Sequence, residues 1–150
     1  MAKFLTLVAF VVVIVGLGAL IGTSFPIGEW YENLNKPFFN PPPSVFGIVW
    51  PMLYVKIAVV GWRFFVSEGR IPGWGAWVGQ MILNFAWSPL FFGAHQIFWG
   101  MWVIAATLAL AVSFVTTTWH EDRFASVLFL PYCAWLSFAL LLNVAFWIIN

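Results

Sequence analysis

Hydrophobic residues fall into five long runs that are separated by short polar stretches. The runs occupy residues 4–25, 44–66, 73–93, 97–118 and 124–149. Each run has close to the ~20 mostly apolar residues that a helix needs to cross the core of a bilayer. The pattern therefore predicts an all-α membrane protein with a five-transmembrane-helix bundle. Because most connections are short, successive helices should be antiparallel and residues 1–150 should form a single domain.

Composition supports the membrane class and excludes two others. The chain is 63% hydrophobic and only 7% charged, whereas soluble domains carry roughly 25% charged residues. A net charge of +1 without a basic patch argues against nucleic-acid binding. The single cysteine, Cys133, cannot form an intrachain disulfide, and no Cys/His cluster predicts a metal site.

Basic residues predict the orientation in the membrane. In a five-helix topology Lys3, Arg63, Arg70 and Arg123 lie on one side, and Lys36 lies on the other. Cytoplasmic loops are enriched in Lys and Arg. The N-terminus should therefore be cytoplasmic, and the first loop and the C-terminus should face outward.

The third run carries a polar and aromatic stripe. Gln80, Asn84, Trp87 and Phe91 recur at i, i+4, i+7 and i+11, which places them on one helical face. An amide in hydrocarbon needs a hydrogen-bond partner, either a neighbouring helix or a ligand. The pattern favours a neighbouring helix for Gln80. It leaves both partners open for Asn84, with a ligand preferred because Trp87 is close by.

Two further runs carry aromatic stripes. The stripe of the second run comprises Phe46, Trp50, Tyr54, Ile57 and Gly61. The stripe of the fifth run comprises Pro131, Trp135, Ala139, Leu142 and Asn143. Three helices thus place aromatic residues on faces with a polar or kinked position, a pattern that suits a ligand pocket as well as plain core.

Small residues recur four apart in two runs. Gly18 and Gly22 form one such pair, and Gly75 and Gly79 form another. Pairs of this kind allow helices to approach closely, within one chain or between two.

The first loop has an unusual composition, WYENLNKPFFNPPP at residues 30–43. Its prolines restrict the backbone, and its aromatic rings suit a cover over a flat ligand. This loop and the segments FGIVWPMLY (46–54), NFAWSPLFFG (84–93) and LPYCAW (130–135) resemble the TspO/translocator protein family, also called tryptophan-rich sensory proteins. The resemblance implies a five-helix bundle of the bacterial cell membrane, commonly a homodimer. It also implies binding of porphyrins and related hydrophobic ligands in a cavity under the first loop, with no obligatory cofactor.

Residue by residue, the resemblance assigns pocket positions. Trp50 and Trp135 match a tryptophan pair that is linked in some members to light-dependent porphyrin breakdown. Together with the stripes, the predicted ligand-binding set is Trp30, Tyr31, Phe46, Trp50, Tyr54, Asn84, Trp87, Phe91, Trp135, Ala139 and Asn143. The chain departs from the family at Phe39, where tryptophan is common, and at Pro51. The final stretch LLLNVAFWIIN also lacks the tyrosine and basic residue of the cholesterol motif in animal members, so sterol binding is not expected.

Three functions remain open at this level. The preferred one is a tetrapyrrole-binding sensor or regulator. The second is an enzyme-like, light-dependent degradation of porphyrin that uses Trp50 and Trp135. The third is a transporter of porphyrins or other lipophiles, although the inverted repeats typical of transporters are not evident. Conventional catalysis has little support, because no carboxylate pair, Ser-His-Asp set or phosphate-binding glycine loop is present.

Overall fold

A computed structural model describes residues 1–68 and 71–150. These residues form helices and connecting turns without any strand. The helices are α1 (Ala2–Ser24), α2 (Glu29–Asn33), α3 (Pro43–Val66), α4 (Trp74–Ser88), α5 (Ile97–Thr118) and α6 (Arg123–Ile149). Within the described residues, α1, α3, α5 and α6 are long and apolar enough to cross a membrane. The all-helical membrane class is therefore confirmed.

The third predicted helix is divided. The α-helical part ends at Ser88, and a π-helical turn over Pro89–Gly93 continues it. Proline has no N–H for the regular helical hydrogen bond, so the backbone widens here. The Ala94 N–H donates instead to the Pro89 carbonyl five residues back, at 2.8 Å.

The other predicted helix boundaries agree closely with the structure. Helix α5 begins and ends at the predicted residues, and the remaining long helices begin or end within two residues of the predicted positions. The short helix α2, which lies inside the first loop, was not predicted. Three prolines precede or open α3, where the fixed φ of proline suits the first helical turn.

The long helices form a ring. Helix α1 packs along α3, α3 packs on α6, α6 on α5, and α5 on α4, whereas α1 and α4 make few contacts. We call the end of the bundle that holds Lys3 the basic end, and the opposite end, with residues 25–42, the loop end. The side of the ring with the fewest contacts is therefore the one between α1 and α4.

At the basic end, one buried carboxylate joins two helices. The Asp122 side chain is buried, and its Oδ1 accepts a hydrogen bond from the Ala125 N–H at 3.0 Å, which caps α6. Its Oδ2 lies 2.7 Å from Nε of Arg63 in α3. Arg123 also lies at this end, as the orientation argument requires, and Arg70 lies outside the described residues.

The small-residue pairs are confirmed in part. A Cβ at Gly18 would overlap the Tyr54 ring, and one at Gly79 would lie 3.0 Å from Cδ1 of Leu110. At Gly22 and Gly75, in contrast, a Cβ would meet nothing within 4 Å. One glycine of each pair therefore allows close packing, and the other borders open space.

We expect Asp122→Ala to lower the free energy of unfolding by about 1–2 kcal/mol, because it removes the cap of α6 and the partner of Arg63. Thermal unfolding in detergent measures the effect. Glu121→Ala is the matched control, since Glu121 is the exposed neighbouring acid and its removal should leave the melting temperature unchanged. Equal melting temperatures for the two variants would contradict the structural role of Asp122.

Candidate functional site

The structure contains a cavity of about 500 Å³, which we call the main cavity. It lies at the loop end between α1, α3 and α4, where Phe25, Pro26 and Ile27, which precede the first loop, also line it. Its wall consists mostly of apolar and aromatic side chains. The lining residues are Val15, Gly18, Ala19, Ile21, Gly22, Thr23, Phe25, Pro26, Ile27, Pro43, Phe46, Gly47, Trp50, Pro51, Tyr54, Asn84, Trp87, Ser88 and Phe92.

A second, narrow cavity of about 30 Å³ adjoins the main cavity deeper in the bundle, and we call it the inner slot. Its lining residues are Ile27, Tyr31, Phe46, Trp50, Trp87, Phe91, Phe92, Ile104, Trp135, Ala139, Leu142, Asn143 and Phe146. Phe46, Trp50 and Trp87 line both spaces. The three stripes predicted from the sequence therefore converge, but they divide between two compartments.

The predicted site residues distribute as follows. Tyr54 and Asn84 line only the main cavity, and Tyr31, Phe91, Trp135, Ala139 and Asn143 line only the inner slot. Trp30 lines neither space. Its ring lies instead on top of the bundle, stacked on His95 with centroids 4.4 Å apart and edge-on to Phe91 at 5.5 Å.

Trp50 is the central side chain of the partition between the two spaces. Its ring stacks on Tyr54 at 5.5 Å and 28°, and it meets the Trp135 ring edge-on at 6.4 Å and 90°. Phe46 meets Trp135 edge-on as well, at 5.8 Å. Offset and edge-to-face contacts are the preferred geometries of aromatic pairs. The two tryptophans therefore come together although they are far apart in the sequence.

A chain of hydrogen bonds extends from the main cavity into the core. The Tyr54 hydroxyl donates to Oδ1 of Asn84 at 2.9 Å, and Nδ2 of Asn84 donates to the Tyr132 hydroxyl at 2.8 Å. The Tyr132 hydroxyl in turn donates to Oε1 of Gln80 at 2.7 Å. The interhelical role expected for Gln80 is confirmed. Asn84 also has partners on α3 and α6, and it lines the main cavity, so its contact with a ligand stays a prediction.

A second polar contact lies in the inner slot. The Trp87 indole N–H donates to Oδ1 of Asn143 at 3.3 Å, and Nδ2 of Asn143 donates to the Ala139 carbonyl at 2.8 Å. Gly100 of α5 lies beside these groups, and a Cβ there would come within 3.0 Å of Cδ2 of Phe91. By contrast, the Trp135 indole N–H is buried without a hydrogen-bond partner among the described residues.

Tyr31 fixes the first loop over the inner slot. Its side chain is 5% exposed and packs against Phe91, Phe92 and Phe146. Burial raises the pKa of the Tyr31 hydroxyl, although its hydrogen bond to Asn40 opposes this. The hydroxyl therefore stays protonated at neutral pH and donates to Oδ1 of Asn40 at 3.0 Å.

Neither cavity is lined by a charged residue of the described chain. The polar groups that remain are hydroxyls, amides and indole N–H groups. The site can therefore hold a mostly apolar molecule and can offer it neutral hydrogen-bond partners.

Several lining residues were missed by the sequence analysis. Helix α1 supplies a whole wall, including Gly18, yet its run shows neither aromatic nor polar periodicity. Tyr132, which lines neither cavity but bonds Asn84 and Gln80, was also missed, because it lies one residue outside the predicted stripe. Phe92 was missed because a regular helix would point it away from Phe91, whereas the π-helical turn lets both reach the slot.

Known proteins of one family resemble this chain over most of its length. The sequence model of the TspO/MBR family matches residues 7–148. The chain belongs to the TspO/MBR family. It is 36% identical to the translocator protein of Homo sapiens over 141 residues, which cover 87% of this chain and 82% of the relative.

Microbial relatives of this TspO/MBR family member cover still more of its length. The tryptophan-rich protein TspO of Archaeoglobus fulgidus is 34% identical, with 99% of each chain covered. Protein CrtK of Rhodobacter capsulatus is 30% identical, with 97% of this chain and 94% of the relative covered. The family resemblance seen in the sequence is thereby confirmed.

We expect Asn84→Leu to destabilise the empty protein by about 1–3 kcal/mol, because it leaves the buried hydroxyl of Tyr132 without a donor. Tyr132→Phe should act on the same chain. In a double-mutant cycle the two changes should therefore cost less together than the sum of their separate effects. Unfolding measured for the single and double variants checks this, and strict additivity would show that the chain is not a unit.

Proposed function

We propose that this TspO/MBR family member binds a porphyrin or a similar tetrapyrrole under the first loop and acts as a sensor or regulator. One observation carries the proposal: Trp50 and Trp87 form a common aromatic wall between the main cavity and the inner slot. A planar, π-rich macrocycle suits such walls, because offset and edge-on contacts are available on both sides. No cofactor is required for binding.

The size and polarity of the site support the same ligand class. The main cavity, at about 500 Å³, falls within the ~300–1,000 Å³ of typical ligand pockets. The unpaired Trp135 N–H offers a donor to an acceptor on the ligand. Because no charged side chain lines the cavity, the carboxylates of a porphyrin would lie toward the loop end, where the membrane surface meets water that can solvate them.

The proposal includes a placement in the membrane. Helix α4 and the π-helical turn together extend from Trp74 to Gly93. At ~1.5 Å per residue this length matches the ~30 Å hydrocarbon core and supports a fifth crossing. Lys3, Arg63 and Arg123 at one end support a cytoplasmic basic end and an outward first loop. We further propose a bacterial cell membrane location and a homodimer, both by analogy with the family.

A second candidate function is light-dependent porphyrin degradation. The edge-on contact of Trp50 and Trp135 favours it, because two indoles in contact beside the ring could exchange electrons with the photoexcited porphyrin. Binding and degradation are separable, since stacking needs only an aromatic ring whereas electron exchange depends on the indole.

We expect Trp50→Ala to weaken binding of protoporphyrin IX by about tenfold, or ~1.4 kcal/mol, because the shared aromatic wall is lost. Titration followed by tryptophan fluorescence quenching in the dark measures the affinity. Trp102→Ala is the matched control, since Trp102 is an exposed tryptophan of α5 that lines neither cavity. Equal affinities in both variants would refute the site, and absence of binding by the unmodified protein would refute the function.

For the second candidate, we expect Trp50→Phe and Trp135→Phe to reduce light-driven loss of the porphyrin spectrum several-fold. Dark affinity should change by no more than a few-fold, because an aromatic ring is retained. Trp102→Phe controls for a general loss of tryptophan. Parallel loss of affinity and turnover would mean that the two indoles only bind, and undiminished turnover would exclude them from the photochemistry.

A further inference from the structure

We propose that the hydrophobic ligand enters the main cavity sideways from the bilayer, through the gap between α1 and α3, and that the first loop remains in place as a fixed roof. This inference rests on the proposed function, because it concerns the route to the same cavity. Two observations support it. Helices α1 and α3 are in contact up to Gly18 but leave a gap at the loop end, and the first loop is held down by hydrogen bonds and ring contacts.

Helices α1 and α3 are held together at the basic end and at mid-length. The Trp62 indole N–H of α3 donates to the Lys3 carbonyl at 3.0 Å and lies 3.1 Å from Oγ1 of Thr6. At mid-length the Tyr54 ring occupies the space where Gly18 has no side chain. These contacts fix α1 against α3 from Lys3 to Gly18.

Beyond Gly18 the two helices separate, and the main cavity lies between them. Ala19, Gly22 and Thr23 of α1 are exposed, as are Gly47 and Pro51 of α3, and all five line the main cavity. We call these five residues the side opening. Ala19 and Thr23 lie about 8 Å and 2 Å from the end of α1, at ~1.5 Å per residue. The side opening therefore lies within the membrane-crossing part of α1 and faces lipid.

The first loop is fastened to α6. The Asn35 N–H donates to Oδ1 of Asn150 at 2.8 Å, and Nδ2 of Asn150 donates to the Asn35 carbonyl at 3.1 Å. Nδ2 of Asn35 adds a contact to the Ile149 carbonyl at 3.3 Å. This reciprocal pair joins the loop to the end of a helix that lies across the bundle.

Aromatic contacts fasten the same loop to the π-helical turn and its neighbours. Trp30 stacks on His95 at 4.4 Å and 11°, and Tyr31 is buried over the inner slot. Entry from the aqueous side would have to break these contacts together with the Asn35–Asn150 pair. Entry through the side opening breaks none of them. A hydrophobic ligand is also concentrated in the bilayer, where the side opening is found.

The experiment compares two leucine substitutions on α1. Gly22→Leu narrows the side opening, whereas Gly16→Leu adds the same side chain at an exposed position of the same helix that lines neither cavity. At both positions a Cβ meets nothing within 4 Å, so both variants should fold. Asn150→Ala, which removes two of the three contacts between Asn35 and the end of α6, tests the roof.

Stopped-flow quenching with protoporphyrin IX, on protein reconstituted in phosphatidylcholine vesicles, gives the association and dissociation rates. We expect Gly22→Leu to slow both rates by about tenfold together, with Gly22→Ala in between, because a narrowed path hinders passage in both directions. Gly16→Leu and Asn150→Ala should match the unmodified protein. A melting curve for each variant confirms that it is folded.

Other outcomes would overturn the inference. Faster association and dissociation in Asn150→Ala, with unchanged rates in Gly22→Leu, would make the first loop the gate. Faster dissociation alone in Gly22→Leu would make Gly22 a contact residue and not part of the path. These kinetic failures leave equilibrium binding intact, so they are distinct from failure of the proposed function, which would abolish quenching in the unmodified protein.

Discussion

The arrangement of the bundle depends on the need to satisfy buried amides where water is absent. Asn84 and Gln80 lie on one face of α4, and both bond to the single hydroxyl of Tyr132 in α6. An unpaired amide in hydrocarbon costs several kcal/mol, so these two bonds determine how far α4 can slide or rotate against α6. The Tyr54 hydroxyl adds α3 to the same chain. With three helices held in register, Trp50, Trp87 and Trp135 meet around one space.

Three aromatic rings of this bundle pack closely against a neighbouring helix at a residue without a side chain. Gly18 accommodates Tyr54, Gly61 accommodates Trp77, and Gly100 accommodates Phe91. Rings of this size keep helix axes apart unless one partner is small. Because each ring lies against a glycine on another helix, the helices approach closely in the core.

The sequence predicted the helices and their aromatic faces because both depend on local spacing, whereas the meeting of these faces in one pocket was implied by the family resemblance. The 3.6-residue period alone places Gln80, Asn84 and Trp87 on one face, and the apolar runs end at prolines, glycines and charges. The separation into two spaces was not predictable, since it depends on ring orientations such as the perpendicular contact of Trp50 and Trp135. The α1 wall was missed for a related reason: α1 is apolar on all sides, so no periodicity marks the face that borders the cavity.

Because little of α1 is buried, the surrounding lipid can form part of the boundary of the main cavity. Only 6% of its most apolar stretch is buried, so in a monomer the acyl chains of a surrounding bilayer would contact most of its surface. A molecule in the main cavity would be bounded by protein and, at the side opening between α1 and α3, by lipid. Its affinity would then be a joint property of protein and bilayer, and acyl-chain length and saturation would act as ligand-binding variables in the way that side chains do in a closed pocket.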